Sequence, residues 1–361
     1  MRGLTMRSTV KSFRFRGASR FAGRSAFTLI ELLTVILIFG VLIAILVPSM
    51  SAARAAGKDA STAGTLSAIQ TALEAFKDEH GKTFPRSGGY PPSFMHPNLY
   101  DQDNQPVFTM AQGANGRFPF LPGYPKVYGA HYLPAMLMGA DLQGFVRRSD
   151  VPPDLLGQPE RWYTVLDDQG TLLPRAASYL DASRVRLIRT DELPGTHNPV
   201  HFPNWAMMKH LPVIADAHDR PVLYYVPHRH GSLQNMMEWY YSPTNHYPDG
   251  PPIYYHVDNA GFTGILSEPL YNQPGWNFGR GGLHRIARPG HELTALDIDD
   301  DHNRDTLARY VLDMRAFRSL PEKTAKSPLR PVNKDTYLLI TAGRDAIYGS
   351  PDDVRNFETG E

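Results

Sequence analysis

The chain has 361 residues, of which 42% are hydrophobic and 11% aromatic, enough to bury a substantial core. Its formal net charge is only +1, but seven basic and no acidic residues fall within residues 1–26. Without that segment the net charge is −6, so the remainder offers no basic patch and a nucleic-acid partner is not expected. The chain has no cysteine, which excludes disulfides as a means of holding its loops.

An apolar run follows the basic segment. From Phe27 to Val47 there are 21 residues, and the only ionisable one is Glu31. As a helix this run is about 30 Å long, which matches the hydrocarbon core of a bilayer. We therefore expect a single membrane span, with the basic segment kept in the cytoplasm and the C-terminal bulk translocated. A carboxylate within the bilayer costs roughly 2.5–3.5 kcal/mol, so Glu31 requires a functional reason and a partner.

Cleavage before Phe27 would create that partner, because the new α-amino group would lie four residues from Glu31. Ser25-Ala26-Phe27-Thr28-Leu29-Ile30-Glu31 resembles the N-terminal signature of type IV pilins and of the pseudopilins of type II secretion systems. The resemblance implies that a prepilin peptidase cuts between Ala26 and Phe27, that Phe27 is then N-methylated, and that Glu31 acts in assembly. Ala26 stands where the family usually has Gly.

Two other interpretations of the N-terminus stay open. A secretory signal peptide would be cut after an apolar region of about 7–15 residues, and Ser51-Ala52-Ala53 offers a small-residue site. The apolar run is longer than such a region and contains Glu31, which disfavours this alternative. An uncleaved signal anchor is the second alternative.

The first helix is expected to continue beyond the membrane, over residues 27–80. Pro48 removes one backbone hydrogen bond and predicts a kink. Beyond it, apolar residues spaced by three and four predict a stripe that covers the protein's own sheet. These residues are Leu66, Ile69, Leu73 and Phe76. Gly81 is expected to end the helix.

Residues 81–361 are predicted to form the head. Runs typical of strands are Trp162–Leu166, Arg184–Ile188, Pro212–Ala215, Val222–Val226, Ile253–Val257 and Tyr337–Thr341. Short helices are expected over Tyr132–Leu142 and Thr306–Phe317. The predicted fold class is α+β, with the long N-terminal helix packed on a small antiparallel sheet, as in pilins. Residues of about 90–200 and 228–333 are expected to be loop-rich insertions on that core.

Two segments of the head also resemble parts of the major pseudopilin. Asp216–Tyr225 resembles a family hairpin, with His218 in place of Trp and Asp219 in place of Gly. Tyr337–Asn356 looks like the family's calcium-binding C-terminal loop, although Ala346 stands where the family has Gly. That resemblance implies a structural calcium ion held by Asp345, Asp352 and Asp353. A solvated acidic turn is the alternative.

Other candidate sites carry weaker signals. Histidine pairs at His228/His230 and His197/His201 match no ligand motif and are more typical of surface turns. Asp297–Asp305 alternates like an EF-hand loop, but it lacks the required Gly and the final Glu. The aromatic stretch Met236–His284 could form a sugar- or protein-binding platform, or the core of an insertion.

These observations predict a structural subunit of a type II secretion filament rather than an enzyme. Its expected partners are other pseudopilins, the prepilin peptidase, the inner-membrane assembly platform and the membrane itself, with the head in the periplasm. A surface type IV pilin with binding insertions is the nearest alternative. A membrane-tethered hydrolase that uses its histidine-rich loops is a third.

Overall fold

The computed structural model describes residues 28–81, 87–91, 93, 128–139, 141–146, 150–155, 172–194, 208–228, 231–233, 253–263, 286, 306–324 and 327–358. The chain divides into two units, Met1–Arg54 and Ala55–Glu361. Several sequence predictions lie outside the described residues. They are the cleavage residues Ala26 and Phe27, the strand Trp162–Leu166, the sites His197, His201 and His230, and Asp297–Asp305.

Helix α1 comprises 52 residues, Leu29–His80. Pro48 lies inside it, and the helix continues through this position. Two serine hydroxyls donate to nearby carbonyls here, Ser49 to Leu46 O and Ser51 to Pro48 O, each at 2.8 Å. The helix ends at His80, directly before Gly81, as predicted.

The second half of α1 supplies one wall of the hydrophobic core. Its buried side chains are Thr62, Leu66, Ile69, Ala72, Leu73 and Phe76, which confirms the predicted stripe. Two tyrosines hold this part of α1 to the head. Lys77 Nζ donates to Tyr90 Oη at 2.9 Å, and Tyr179 Oη donates to Glu79 Oε2 at 2.7 Å.

Helix α2, Gly129–Met138, is buried along its whole length and contains Pro134. It packs against two strands, Pro212–Ala215 and Leu223–Tyr225. Gly129 permits this close approach, because a Cβ there would lie 2.3 Å from the Tyr224 carbonyl oxygen. Gly139 ends the helix with a φ of 90°. The helix was predicted over Tyr132–Leu142, so it both begins and ends a few residues earlier than expected.

Seven short strands form three antiparallel sheets in the described part of the chain. They are β1 (Phe145–Val146), β2 (Arg175–Ala176), β3 (Arg186–Arg189), β4 (Pro212–Ala215), β5 (Leu223–Tyr225), β6 (Leu338–Thr341) and β7 (Val354–Arg355). β1 pairs with β2, β3 pairs with β4, and β6 lies between β5 and β7. In the three-stranded sheet Tyr224 stands opposite Leu339, and Ile340 opposite Arg355.

Short helical elements complete the described architecture. The 3-10 turns are Pro153–Leu155, Ala182–Arg184, Thr190–Glu192 and His256–Asn259. The short α-helices are α3 (Ala260–Thr263), α4 (Leu307–Tyr310) and α5 (Met314–Arg318). The mixture of helices with small antiparallel sheets agrees with the predicted α+β class.

Two of the predicted elements are wrong. Ile253–Val257 is no strand, because its end winds into the 3-10 turn that leads to α3. There the Asn259 side chain donates to Tyr224 O at 2.8 Å and accepts from Ala130 N at 2.9 Å, and such tertiary bonds outweigh strand propensity.

The predicted helix Thr306–Phe317 is in fact two helices. Leu312, between them, forms a β-bridge with Pro331, and Val332 N donates to Val311 O at 2.8 Å. Asp313 then starts α5 by accepting from Ala316 N at 2.9 Å. The Asp313 cap lies in the middle of the apolar pattern and therefore separates α4 from α5.

Candidate assembly helix and C-terminal loop

Helix α1 begins with a reciprocal side-chain cap. Glu31 Oε2 accepts hydrogen bonds from Thr28 N and Thr28 Oγ1, each at 2.8 Å. Thr28 Oγ1 in turn accepts from Glu31 N at 3.3 Å. This is the capping-box arrangement, and it places the carboxylate at the positive end of the helix dipole. Pairing of Glu31 with an amino group on Phe27 stays a prediction, since Phe27 is outside the described residues.

The first unit presents an apolar surface. The large hydrophobic side chains from Leu29 to Met50 are all exposed, from 42% at Val35 to 81% at Leu29. The helix is long and apolar enough to cross a membrane. An exposed apolar surface of this extent is typical of a membrane span or of a contact with other apolar helices.

The C-terminal loop connects β6 to β7 and turns on three residues with left-handed backbone. Gly343, Ala346 and Gly349 have φ values of 58°, 63° and 93°. A Cβ at Gly343 would lie 2.3 Å from the Asp352 carbonyl oxygen, so only glycine fits there. Ala346 adopts the conformation that glycine favours, at the position where the resemblance places a glycine.

Asp352 closes this loop through backbone hydrogen bonds. Its Oδ2 accepts from Arg344 N at 2.7 Å and from Asp345 N at 3.1 Å. Ser350 Oγ donates to its Oδ1. Burial alone would raise the pKa of Asp352, but these donors favour the carboxylate and hold the pKa below its usual value.

Asp353 is more deeply enclosed and joins the loop to α4. Its Oδ2 accepts from Tyr310 Oη at 2.5 Å and from Gly349 N at 2.7 Å. Ser350 Oγ, which donates mainly to Asp352, also lies 3.3 Å from Asp353 Oδ1. Burial raises the pKa of Asp353 to about 7, because desolvation outweighs these donors.

The three predicted calcium ligands therefore lie in one loop, but most of the hydrogen bonds that their carboxylates accept come from groups of the same loop. Asp345 Oδ1 accepts from Ile347 N at 2.8 Å, in a local turn. Within the described residues, no three acidic or histidine side chains are gathered as for a metal ion. The oxygen donors suit calcium chemically, yet the hydroxyls of Tyr310 and Ser350 would first have to release the carboxylates. The calcium site stays a prediction.

Sequence reasoning missed an ion-pair cluster centred on Asp59 of α1. Arg344 of the C-terminal loop pairs with Asp59 Oδ2, and His218 Nε2 lies 3.3 Å from Asp59 Oδ1. The hydrogen bond from Arg344 is the main reason that the pKa of Asp59 is lowered. Asp59 and Arg344 are 285 residues apart, so no local pattern could have linked them.

The hairpin that carries His218 has Asp219 at a turn position where the resemblance places a glycine. Asp219 has a φ of 64°, the left-handed conformation that suits glycine. Asp219 stands where the resemblance places Gly, so the backbone keeps the turn although the residue differs. Asp216 Oδ1 accepts from both His218 N and Arg220 N at 2.8 Å, which supports the turn from inside.

Other candidate sites are described only in part. His228 N donates to Ile253 O at 2.7 Å, while its proposed partner His230 is outside the described residues. Tyr254, Tyr255 and Phe262 of the aromatic stretch are buried, as predicted for the core of an insertion. They therefore form no exposed binding platform.

Comparison of the chain with protein-family models, with curated proteins and with solved structures finds no match. The functional interpretation therefore depends on the resemblance at the N-terminus and in the tail, together with the geometry above. Of the predicted site residues, the structure places Glu31 in the cap of α1. It brings Asp345, Asp352 and Asp353 into the C-terminal loop.

A matched pair of glycine substitutions tests the loop geometry. We expect Gly343→Ala to destabilise the head by roughly 2 kcal/mol or more, because the residue has positive φ and its Cβ would meet backbone. Gly64→Ala is the control, since nothing lies within 4 Å of its Cβ position, and it should stabilise α1 by about 1 kcal/mol. Thermal unfolding of the full chain in detergent measures both. A Gly343→Ala protein as stable as the parent would contradict the described loop.

Proposed function

We propose that this protein is a structural, pilin-like subunit of a filament, most similar in role to the major pseudopilin of type II secretion systems. The observation that carries the proposal is the exposed apolar surface from Leu29 to Met50, with a single carboxylate at its start. Such a surface suits a helix that lies in the membrane before assembly and among other such helices afterwards. The second half of the same helix belongs to the core of a head.

The proposed maturation begins with removal of residues 1–26 by a prepilin peptidase and N-methylation of Phe27. The subunit then rests in the inner membrane, with its head in the periplasm. Glu31 is bonded to Thr28 of its own chain in the structure, which offsets part of the cost of its charge in the membrane. During assembly the Phe27 amine of a neighbouring subunit would approach Glu31, and the assembly platform would raise the subunit into the filament.

A surface type IV pilin would use the same helix and the same pairing. The absence of cysteine favours the pseudopilin, because many type IV pilins close a C-terminal loop with a disulfide. Here hydrogen bonds that Asp352 and Asp353 accept from backbone N–H groups close that loop instead. The role that we propose is structural and includes no enzymatic activity.

We also propose that the C-terminal loop takes a structural calcium ion through Asp345, Asp352 and Asp353. Support comes from the resemblance of the tail and from three carboxylates in one tight loop. Calcium accepts six to eight oxygen ligands in flexible geometry, which suits carboxylates and backbone carbonyls. The ion would neutralise the loop's negative charge.

Substitution of Glu31 tests the assembly role. Glu31→Val removes the only ionisable side chain of the span, so membrane insertion should become easier by roughly 2.5–3.5 kcal/mol while filament formation fails. Cleavage should stay intact, because the residues that flank the cleavage point are unchanged. Electron microscopy of sheared filaments and immunoblots of membrane fractions measure the two effects.

The control for this variant is Leu33→Val, which changes a neighbouring exposed side chain of the same helix without changing charge. It should form filaments as the parent does. Normal filaments from the Glu31→Val chain would show that Glu31 is not needed in assembly, whereas loss of filaments in both variants would point to a general packing defect.

Calcium binding has its own test. Ligand binding to the folded state raises stability by about 2.7 kcal/mol at 100 times the dissociation constant, so calcium should raise the Tm of the full chain in detergent and chelator should reverse this. The Asp345→Ala, Asp353→Ala double variant should lose the calcium shift. Asp335→Ala, which removes an exposed carboxylate outside the loop, should keep it. An equal shift in the double variant would remove the proposed site.

A further inference from the structure

Asp258 places a carboxyl group in the interior of the head. It belongs to the 3-10 turn His256–Asn259 and is 0% exposed. Ser93 Oγ donates to its Oδ2, and the same hydroxyl oxygen accepts from Val226 N at 3.2 Å. The second carboxyl oxygen, Oδ1, is buried without a hydrogen-bond partner in the described part of the chain. One donor therefore serves a group that could accept about four bonds if ionised.

The elements packed around this turn supply no cation in the described residues. Strand β5 brings Tyr224 and Tyr225, and burial raises the pKa of both phenols, which stay neutral. Helix α2 brings His131, but burial lowers its pKa to about 3, so this imidazole is also neutral. Ser93 is the remaining neighbour and is not charged. Burial raises the pKa of the Asp258 carboxyl well above its ordinary value.

We propose that Asp258 is a protonated carboxylic acid in the folded head and acts as a pH-sensitive lock between Ser93, β5 and the 256–263 turn. As a neutral acid it carries its proton on Oδ1 and keeps Oδ2 as the acceptor for Ser93 Oγ, so it needs fewer donors from its surroundings and places no charge in the core. Once ionised, it places an unpaired charge in the core, a costly state that loosens the contacts around it.

Hydrogen bonds close to Asp258 connect several parts of the head, and ionisation would weaken them. Tyr224 Oη donates to Pro91 O at 2.6 Å, beside the segment that carries Ser93. Asn259, the next residue, bonds both β5 and α2 through its side chain. Ionisation therefore acts on the point where three parts of the head meet.

The direction of the pH effect follows from the two protonation states. In the unfolded chain an aspartate has a pKa of about 3.9, whereas the folded chain keeps the Asp258 proton to higher pH. This contribution to stability is fully present below the unfolded pKa. It is lost as pH rises from the unfolded towards the folded pKa, because only the unfolded state releases its proton there.

An Asp258→Asn variant of the full chain in detergent tests the lock. Asparagine keeps the shape of aspartate and, like the neutral acid, has both a donor and an acceptor. We expect the Tm of the variant relative to the parent to increase by several degrees as pH rises from about 4 to about 8. The difference between variant and parent cancels the titration of other groups. Asp335→Asn, at an exposed site, should show no such rise.

Infrared spectroscopy gives a second readout that does not depend on stability. At neutral pH the parent should show a C=O stretch of a protonated carboxylic acid that Asp258→Asn lacks. If that variant fails to fold, Ser93→Ala replaces it, since loss of the hydroxyl bonded to Asp258 must shift this band. A Tm difference that is constant or falls with pH, or a band that neither variant alters, would overturn the proposal.

Discussion

The apolar side chains of α1 between Leu29 and Met50 have to leave water, and the rest of the molecule is consistent with that constraint. Each of them is at least 42% exposed in the isolated chain. Apolar area removed from water is worth about 25 cal/mol per Å², so contact with lipid or with other helices would stabilise this surface. In the proposed function the basic segment ahead of it orients the helix. The cap between Thr28 and Glu31 gives the one charged side chain of the apolar run a partner from its own chain.

The head meets a different constraint, because it has no cysteine with which to close its loops. Polar side chains that accept or donate several hydrogen bonds perform that task. Asp352 and Asp353 gather backbone N–H groups and hydroxyls in the C-terminal loop, and Asn259 joins β5 to α2. The Asp59–Arg344 pair is solvent-exposed and so weak, but it connects the C-terminal loop to α1.

The sequence predicted elements whose causes are local. The length of α1, its apolar stripe, its end before Gly81 and the strand Pro212–Ala215 all follow from periodicity and glycine placement. It failed where distant contacts decide the structure. The 253–257 segment has strand-like composition, but Asn259 bonds its end to β5 and α2. The 306–317 helix breaks because Leu312 pairs with Pro331. The candidate site was likewise predictable only within continuous motifs, which include Glu31 and the tail but not Asp59.

The most direct test of the account is the intact mass and N-terminal residue of the protein extracted from membranes. The account predicts a mature chain that begins at N-methylated Phe27 and retains the whole apolar helix. A mature N-terminus near Ala52 would instead identify a cleaved secretory signal. A chain that keeps residues 1–26 would identify a signal anchor, and either result would contradict assembly through a Phe27 amine.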